Sequence, residues 1–244
     1  MFAQKTDIFT RLKREILPLE GFRSAVPGSV MDLGIGFMEE AFPNGSFPLG
    51  AVHELISEGA ESTAATTGFI SGLLGGLMKN GGAAVWIGSS PTLFPPALKA
   101  FGIHPDQIVF IDLQKEKDIL WAMEEALKCE GLAAVIGEIP ELSFTSSRRF
   151  QLAVEQSGVT GFVLRSYPRN MNTNACVSRW KIKPIPTYTE DDLPGPGFPR
   201  WHVELMKIRN GKPGVWQVEW SAGGFRAAAG IIPSIILEPK RKTG

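Results

Sequence analysis

The sequence predicts an α/β domain with a mostly parallel sheet, helices on both faces and antiparallel strands at its C-terminal edge. Three observations carry this. From residue 51 short apolar runs alternate with helical patterns. Those runs are continuously apolar rather than alternating, as expected of strands covered on both faces by crossover helices. After residue 170 the pattern changes to period two, the signature of antiparallel strands.

The elements follow in order. Residues 4–18 place Phe9, Leu12 and Ile16 at helical spacing, an amphipathic helix closed by Pro18. Residues 19–50 are rich in Gly and Pro and read as irregular. AVHELI (51–56) is a strand, and 62–79 a helix capped by Ser62 or Thr63. AAVWIG (83–88) is a strand, 93–101 a short helix, and QIVFIDL (107–113) a strand. Residues 116–130 form a helix with Ile119, Leu120, Met123 and Leu127 on one stripe. LAAVIG (132–137) is a strand, SSRRFQLAVEQSG (146–158) a helix and TGFVLRS (160–166) a strand. CVSRWKI (176–182), RWHVELMKIR (200–209) and GVWQVEW (214–220) read as antiparallel strands. Between the first two lies a Pro- and Gly-rich acidic loop, and GKPG (211–214) joins the last two as a hairpin. Trp180, Trp201, Trp216 and Trp220 are expected in the core. The organisation expected is a lead-in over 1–50, a domain over 51–226 and a tail over 227–244. The tail segment GIIPSIILE is apolar with Pro233 inside it, so it is expected to dock in extended form, on its own sheet edge or on a partner.

Composition narrows the function. The 244 residues hold 25 cations and 25 carboxylates, so no whole-molecule basic field for nucleic acid exists. Cys129 and Cys176 form no CxxC pair and read as buried free thiols of a cytoplasmic protein. His53, His104 and His202 lack metal-ligand spacing. No run reaches the ~18 apolar residues of a spanning helix.

One stretch carries a chemical motif. A P-loop places a glycine-rich turn with a lysine between strand and helix, so that backbone amides and the lysine cradle phosphates while a Ser/Thr holds magnesium. After the strand at 51–56 the chain runs Gly59-Ala60-Glu61-Ser62-Thr63-Ala64-Ala65-Thr66-Thr67. The frame fits from Gly59 to Thr66, with Ala64 at the second glycine and Ala65 at the lysine.

PLGAVHELISEGAESTAATT resembles the stretch that runs into the P-loop of RecA recombinases. The resemblance continues through VWIGSSPTLFPPALKAFGIHPDQIVFID and LAAVIGEIPEL to the strands at 176–182 and 200–220, about residues 30–226. It implies a RecA-like P-loop core. A closer match comes from PxGxxHEL, LFPPAL, WAMEEAL, SSRRFQLAVEQSG, Arg179-Trp180 and WHVELMKIRNGKPGVWQVEW, which together resemble the ImuA family. That resemblance implies a RecA-like accessory factor of SOS-induced, error-prone translesion repair. The implied partners are a polymerase-like ImuB protein and an error-prone DNA polymerase, with RecA and DNA as further candidates.

Against the RecA pattern this chain departs at four positions. Ala65 stands for the lysine, and Ser90 lies near the water-activating glutamate. Gly137 stands for the acid ending the Walker B strand, with Glu138 one residue on, a shift that turns a strand side chain to the other face. Arg165 or Ser166 falls at the phosphate sensor. Gly59, Ser62, Ala65, Thr66 and Thr67 are therefore expected to form a P-loop that no longer works, with no ATP or magnesium cofactor. The loops 139–147 and 167–175, where RecA binds DNA, are short. A candidate DNA-binding set remains in Arg148, Arg149, Arg165, Arg169 and Arg179, with Lys181 beside them. Arg148 and Arg149 read as lying at a helix start, where the dipole favours an anion. The expectation is an adaptor without catalysis. The alternatives are a weak P-loop NTPase using Glu138 and a SulA-like inhibitor of cell division.

Overall fold

A computed structural model describes residues 33–89, 93–187, 197–228 and 234–235. The expected N-terminal helix at 4–18 lies outside these residues. Ten strands among them form one sheet, in the order β3-β2-β4-β5-β1-β6-β7-β8-β10, with β9 also on β8. They are β1 (Val52–Ser57), β2 (Ala83–Gly88), β3 (Ile108–Asp112), β4 (Leu132–Glu138), β5 (Thr160–Ser166), β6 (Ser178–Pro184), β7 (Arg200–Ile208), β8 (Gly214–Ser221), β9 (Gly224–Ala227) and β10 (Ser234–Ile235). The helices are α1 (Ala60–Leu77), α2 (Glu116–Leu127) and α3 (Phe144–Ser157), and Pro95–Phe101 is a 3-10 segment.

The apolar runs became parallel strands, as read. β1 lies between β5 and β6, parallel to both, with Val52 opposite Gly161 and His53 opposite Ser178. One expectation needs correction. The 176–182 run was expected to be antiparallel, yet β6 runs parallel to β1, and the direction reverses only at β7. Alternation reports a strand with two unlike faces, not its direction.

The two faces carry separate cores. Residues such as Phe69, Ile70, Leu73 and Leu74 of α1 pack with Leu55, Phe162, Trp180 and Trp201 on one face. On the other, Ile119, Met123 and Leu127 of α2 join Phe150 and Val154 of α3 over Val52, Val135 and Val163. Close approach explains Gly72 and Gly75 of α1. A Cβ at Gly72 would collide with the Phe225 and Trp220 rings, and one at Gly75 with the Phe101 carbonyl. Each glycine costs about 1 kcal/mol of helix propensity relative to alanine, which the aromatic packing offsets.

The lead-in also needs revision. Leu33, Ile35, Met38, Ala41 and Phe42 are buried in the α1-side core, so core packing begins upstream of residue 51. Two 3-10 turns, Gly36–Ala41 and Pro43–Gly45, place them there without any periodicity to announce it. His53, fully buried, fastens this segment. Its Nε2 donates to the Pro48 carbonyl at 2.8 Å, and its Nδ1 accepts from Ser178 Oγ at 2.6 Å, which in turn accepts from Trp180 Nε1. Burial lowers its pKa to about 4, so the ring is neutral.

Candidate functional site

The strand-to-helix junction differs from the expected loop. β1 ends at Ser57 and α1 begins at Ala60, leaving only Glu58 and Gly59 between them. Gly59 takes φ 97°, a value that favours glycine. Neither Ser62 nor Thr63 caps the helix; Gly59 is the N-cap, and the Thr63 amide already donates to the Gly59 carbonyl at 3.0 Å. Ser62, Ala65 and Thr66 are buried, and Thr66 Oγ1 donates to the Ser62 carbonyl at 2.7 Å. The threonine whose hydroxyl was expected at a magnesium position is thus 1% exposed and turned to the backbone of its own helix. Thr67 does reach the neighbouring cleft. Ser57, Thr63 and Ser166 join their hydroxyls at 3.0–3.4 Å, tying β1, α1 and β5 together.

Beside this junction, at the carboxyl ends of β4, β5 and β6, lies a cleft of about 850 Å³ between α1 and Pro95–Phe101. This is the usual position for ligand binding in open α/β sheets. Its apolar walls include Leu93, Phe94, Phe101, Leu164 and Trp201, and two carboxylates, Glu61 and Glu138, line it. Arg200 also lines it, with its guanidinium 3.6 Å from Glu219. Glu138 corrects the expectation for the Walker B strand. β4 extends to Glu138, which lines the cleft, while a Cβ at Gly137 would strike Met123 of α2. The one-residue shift thus puts the carboxylate on the cleft side. Glu138 Oε1 accepts from Trp86 Nε1 at 2.7 Å. Burial raises its pKa, the Trp86 hydrogen bond opposes this, and the Asp112 charge adds to the rise. Ser90 lies outside the described residues.

The arginine set is not one surface patch. Arg165 is fully buried: Nη1 meets Glu54 Oε1 at 2.7 Å, Nη2 meets Glu141 Oε2 at 3.2 Å, and Nε donates to the Pro140 carbonyl. Arg179 Nε meets the other Glu54 oxygen at 2.5 Å, and its Nη2 donates to the Asn172 carbonyl. Lys181 pairs with Glu58 at 2.9 Å. Arg165 cannot touch DNA from this position, and Arg179 is engaged in the same network. Both hold down the short 167–175 loop, since Arg165 Nη2 donates to the Asn170 carbonyl and Arg179 Nη2 to that of Asn172, while the Arg169 amide donates to Glu141. Arg148, Arg149 and Arg169 stay exposed. Arg149 lies 2.6 Å from Glu124 and Arg148 3.9 Å from Glu155. The dipole argument for Arg148 and Arg149 fails, because α3 starts two residues earlier than expected, at Phe144 with Ser143 as its cap, and both arginines lie past the first turn. Cys176 is buried, its thiol pushed up to about 12 by burial, but Cys129 is exposed.

Sequence reasoning missed Glu54, the centre of this network. The signal was present: a His-Glu pair inside an apolar strand covered on both faces obliges buried polar groups to find partners. No helix among the described residues is long and apolar enough to cross a membrane.

No protein-family model matches the chain. The crystal structure of the RadB recombinase superposes with a TM-score of 0.55 at 12% identity, covering 84% of this chain and 100% of that one, which establishes the RecA-like fold. Among curated proteins, Protein ImuA of Caulobacter vibrioides, from strains NA1000 / CB15N and ATCC 19089 / CIP 103742 / CB 15, is 36% identical over 210 residues. The match spans 81% of this chain and 86% of the relative. With identity at that level over most of both chains, this protein belongs to the ImuA family.

Proposed function

We propose that this chain is a non-hydrolysing RecA-like accessory factor in SOS-induced, error-prone translesion DNA repair, working through protein partners rather than ATP turnover. The observation that carries this is the β1–α1 junction. Two residues connect strand and helix, Ala65 occupies the lysine position, and Thr66 is buried. A triphosphate entering the cleft would also meet Glu61 and Glu138. Family membership supports the repair setting and an ImuB-like partner with its error-prone polymerase. RecA and DNA are further candidates for the same assembly.

One observation favours a second reading, a weak NTPase: Glu138 lines the cleft, where a carboxylate could orient water. Calorimetry with ATP and magnesium, followed by turnover assays on the chain and on Glu138→Gln, separates the two. Absence of binding supports the accessory factor, and turnover abolished by Glu138→Gln supports the enzyme.

A further inference from the structure

The cleft is built for an apolar guest, and Glu61 and Glu138 on its wall outnumber Arg200, which is offset by Glu219 at 3.6 Å, so they favour a cationic one. Its aromatic and aliphatic walls enclose a volume typical of a ligand site, about 300–1,000 Å³, and Glu61 is exposed in the first turn of α1. The matching chemistry is in the chain itself. Residues 4–18 place Phe9, Leu12 and Ile16 on one helical stripe, with Lys5, Arg11, Lys13 and Arg14 against Asp7 and Glu15.

The chain enters the described fold close by. A Cβ on Gly34 would lie 3.5 Å from the Phe225 backbone nitrogen. The Phe225 ring meets Trp201, which lines the cleft, at a centroid distance of 6.0 Å. A second route of ring contacts runs from Phe225 through Trp220 to Phe101, at 4.9 and 5.1 Å. Residues 19–32 would span up to about 50 Å if extended at ~3.6 Å each. The 4–18 segment is therefore tethered within reach of the cleft.

We propose that the basic amphipathic segment 4–18 of this chain docks in the cleft between α1 and Pro95–Phe101. Phe9, Leu12 and Ile16 sit on the apolar walls and the cations face Glu61 and Glu138, so the segment occupies the place a nucleotide takes in an ATP-hydrolysing relative. This rests on the reading of the cleft as one that holds no triphosphate. Because the segment is tethered, its local concentration is in the millimolar range, so even weak intrinsic affinity keeps it docked.

The test uses the full chain and a fluorescent synthetic peptide of residues 1–20, read by anisotropy. Phe9→Asp with Leu12→Asp frees the cleft, so this variant should bind the peptide at least about tenfold more tightly than the unsubstituted chain, as expected for release from millimolar competition. Adding Glu61→Lys to the double variant should weaken that binding several-fold. A photo-crosslinker at position 9 of the otherwise unsubstituted chain gives an independent readout, and should mark the stretch from Leu93 to Phe101 or Trp201. Equal peptide binding by both chains would overturn the proposal and leave the cleft open to a partner's segment. So would absence of binding to the double variant, or crosslinks elsewhere only. Millimolar magnesium-ATP added to the double variant, whose cleft is free, separates the two ideas. Binding of ATP overturns the nucleotide-free reading, whereas absence of both ATP and peptide binding overturns only the docking of 4–18.

Discussion

Removing Glu54 should destabilise this protein more than most single substitutions. Its carboxylate is fully buried between Arg165 at 2.7 Å and Arg179 at 2.5 Å, and Arg165 is itself fully buried. Glu54→Ala leaves the Arg165 charge with Glu141 at 3.2 Å, a partner 36% exposed, and with the carbonyls of Pro140 and Asn170. Breaking one side of a buried ion pair costs about 3–5 kcal/mol. Because Glu141 remains, the lower figure of about 3 kcal/mol applies, or a drop of roughly 6–12 °C in Tm for a chain this size. Thermal melting by circular dichroism measures it. Limited proteolysis should show faster cleavage at the loops around Glu141 and Asn170, which the network pins. Replacing the pair together, with Glu54→Leu and Arg165→Met, should recover part of the loss, since it removes the fully buried stranded charge and leaves only Arg179, 13% exposed, with the Asn172 carbonyl. A Tm loss below about 2 °C for Glu54→Ala would refute the claim that this network holds the loops.

Four further outcomes follow from particular residues. His53 has a folded pKa of about 4, below the 6.5 of a free histidine. Its contribution is therefore complete above pH 6.5 and is lost as pH falls towards 4, up to about 3 kcal/mol at 1.36 kcal/mol per unit; His53→Gln should flatten the stability profile in that window, and an unchanged profile would contradict the assignment. Arg148 and Arg149 are 49% and 61% exposed, so replacing both by Ala should change stability by less than about 0.5 kcal/mol per site. The same double variant should make single-stranded DNA binding less salt-dependent, by about 1.4 in log–log slope for two lost phosphate contacts; unchanged band shifts would remove these arginines from any DNA surface. Ser234–Ile235 pairs with Val215 and Gly214 of β8, continuing the edge that β9 covers, so ending the chain after Arg226 should lower Tm by several degrees, and an unchanged Tm would show that this pairing contributes nothing to stability.

Strands were the most legible feature, because an apolar run of six residues between glycines leaves few alternatives. AAVWIG and TGFVLRS match β2 and β5 to the residue. Helix starts were harder. α1 begins at Ala60 because Gly59 can adopt the required backbone angle, whereas the hydroxyls of Ser62 and Thr63 suggested a later cap. The packed segment from Leu33 to Phe42 was invisible to periodicity, since 3-10 turns bury residues without a regular spacing. The arginines show the main limit of sequence reading. Spacing along the chain brings Arg165, Arg179 and Lys181 together as cations, but only the sheet brings Glu54 between β5 and β6 to neutralise two of them. The side of the sheet taken by Glu138 was equally hidden, because it depends on where β4 ends.

The central claim is that the nucleotide position of this RecA-like fold no longer holds ATP. Titration calorimetry of the full chain with ATP and magnesium tests it directly. Losing one charged phosphate contact costs about 1.5–3 kcal/mol, or roughly tenfold to a hundredfold in affinity, and here the lysine position is Ala65 while Glu61 and Glu138 line the cleft. We expect no measurable heat of binding at submillimolar ATP. A dissociation constant in the low micromolar range, with turnover abolished by Glu138→Gln, would contradict the account.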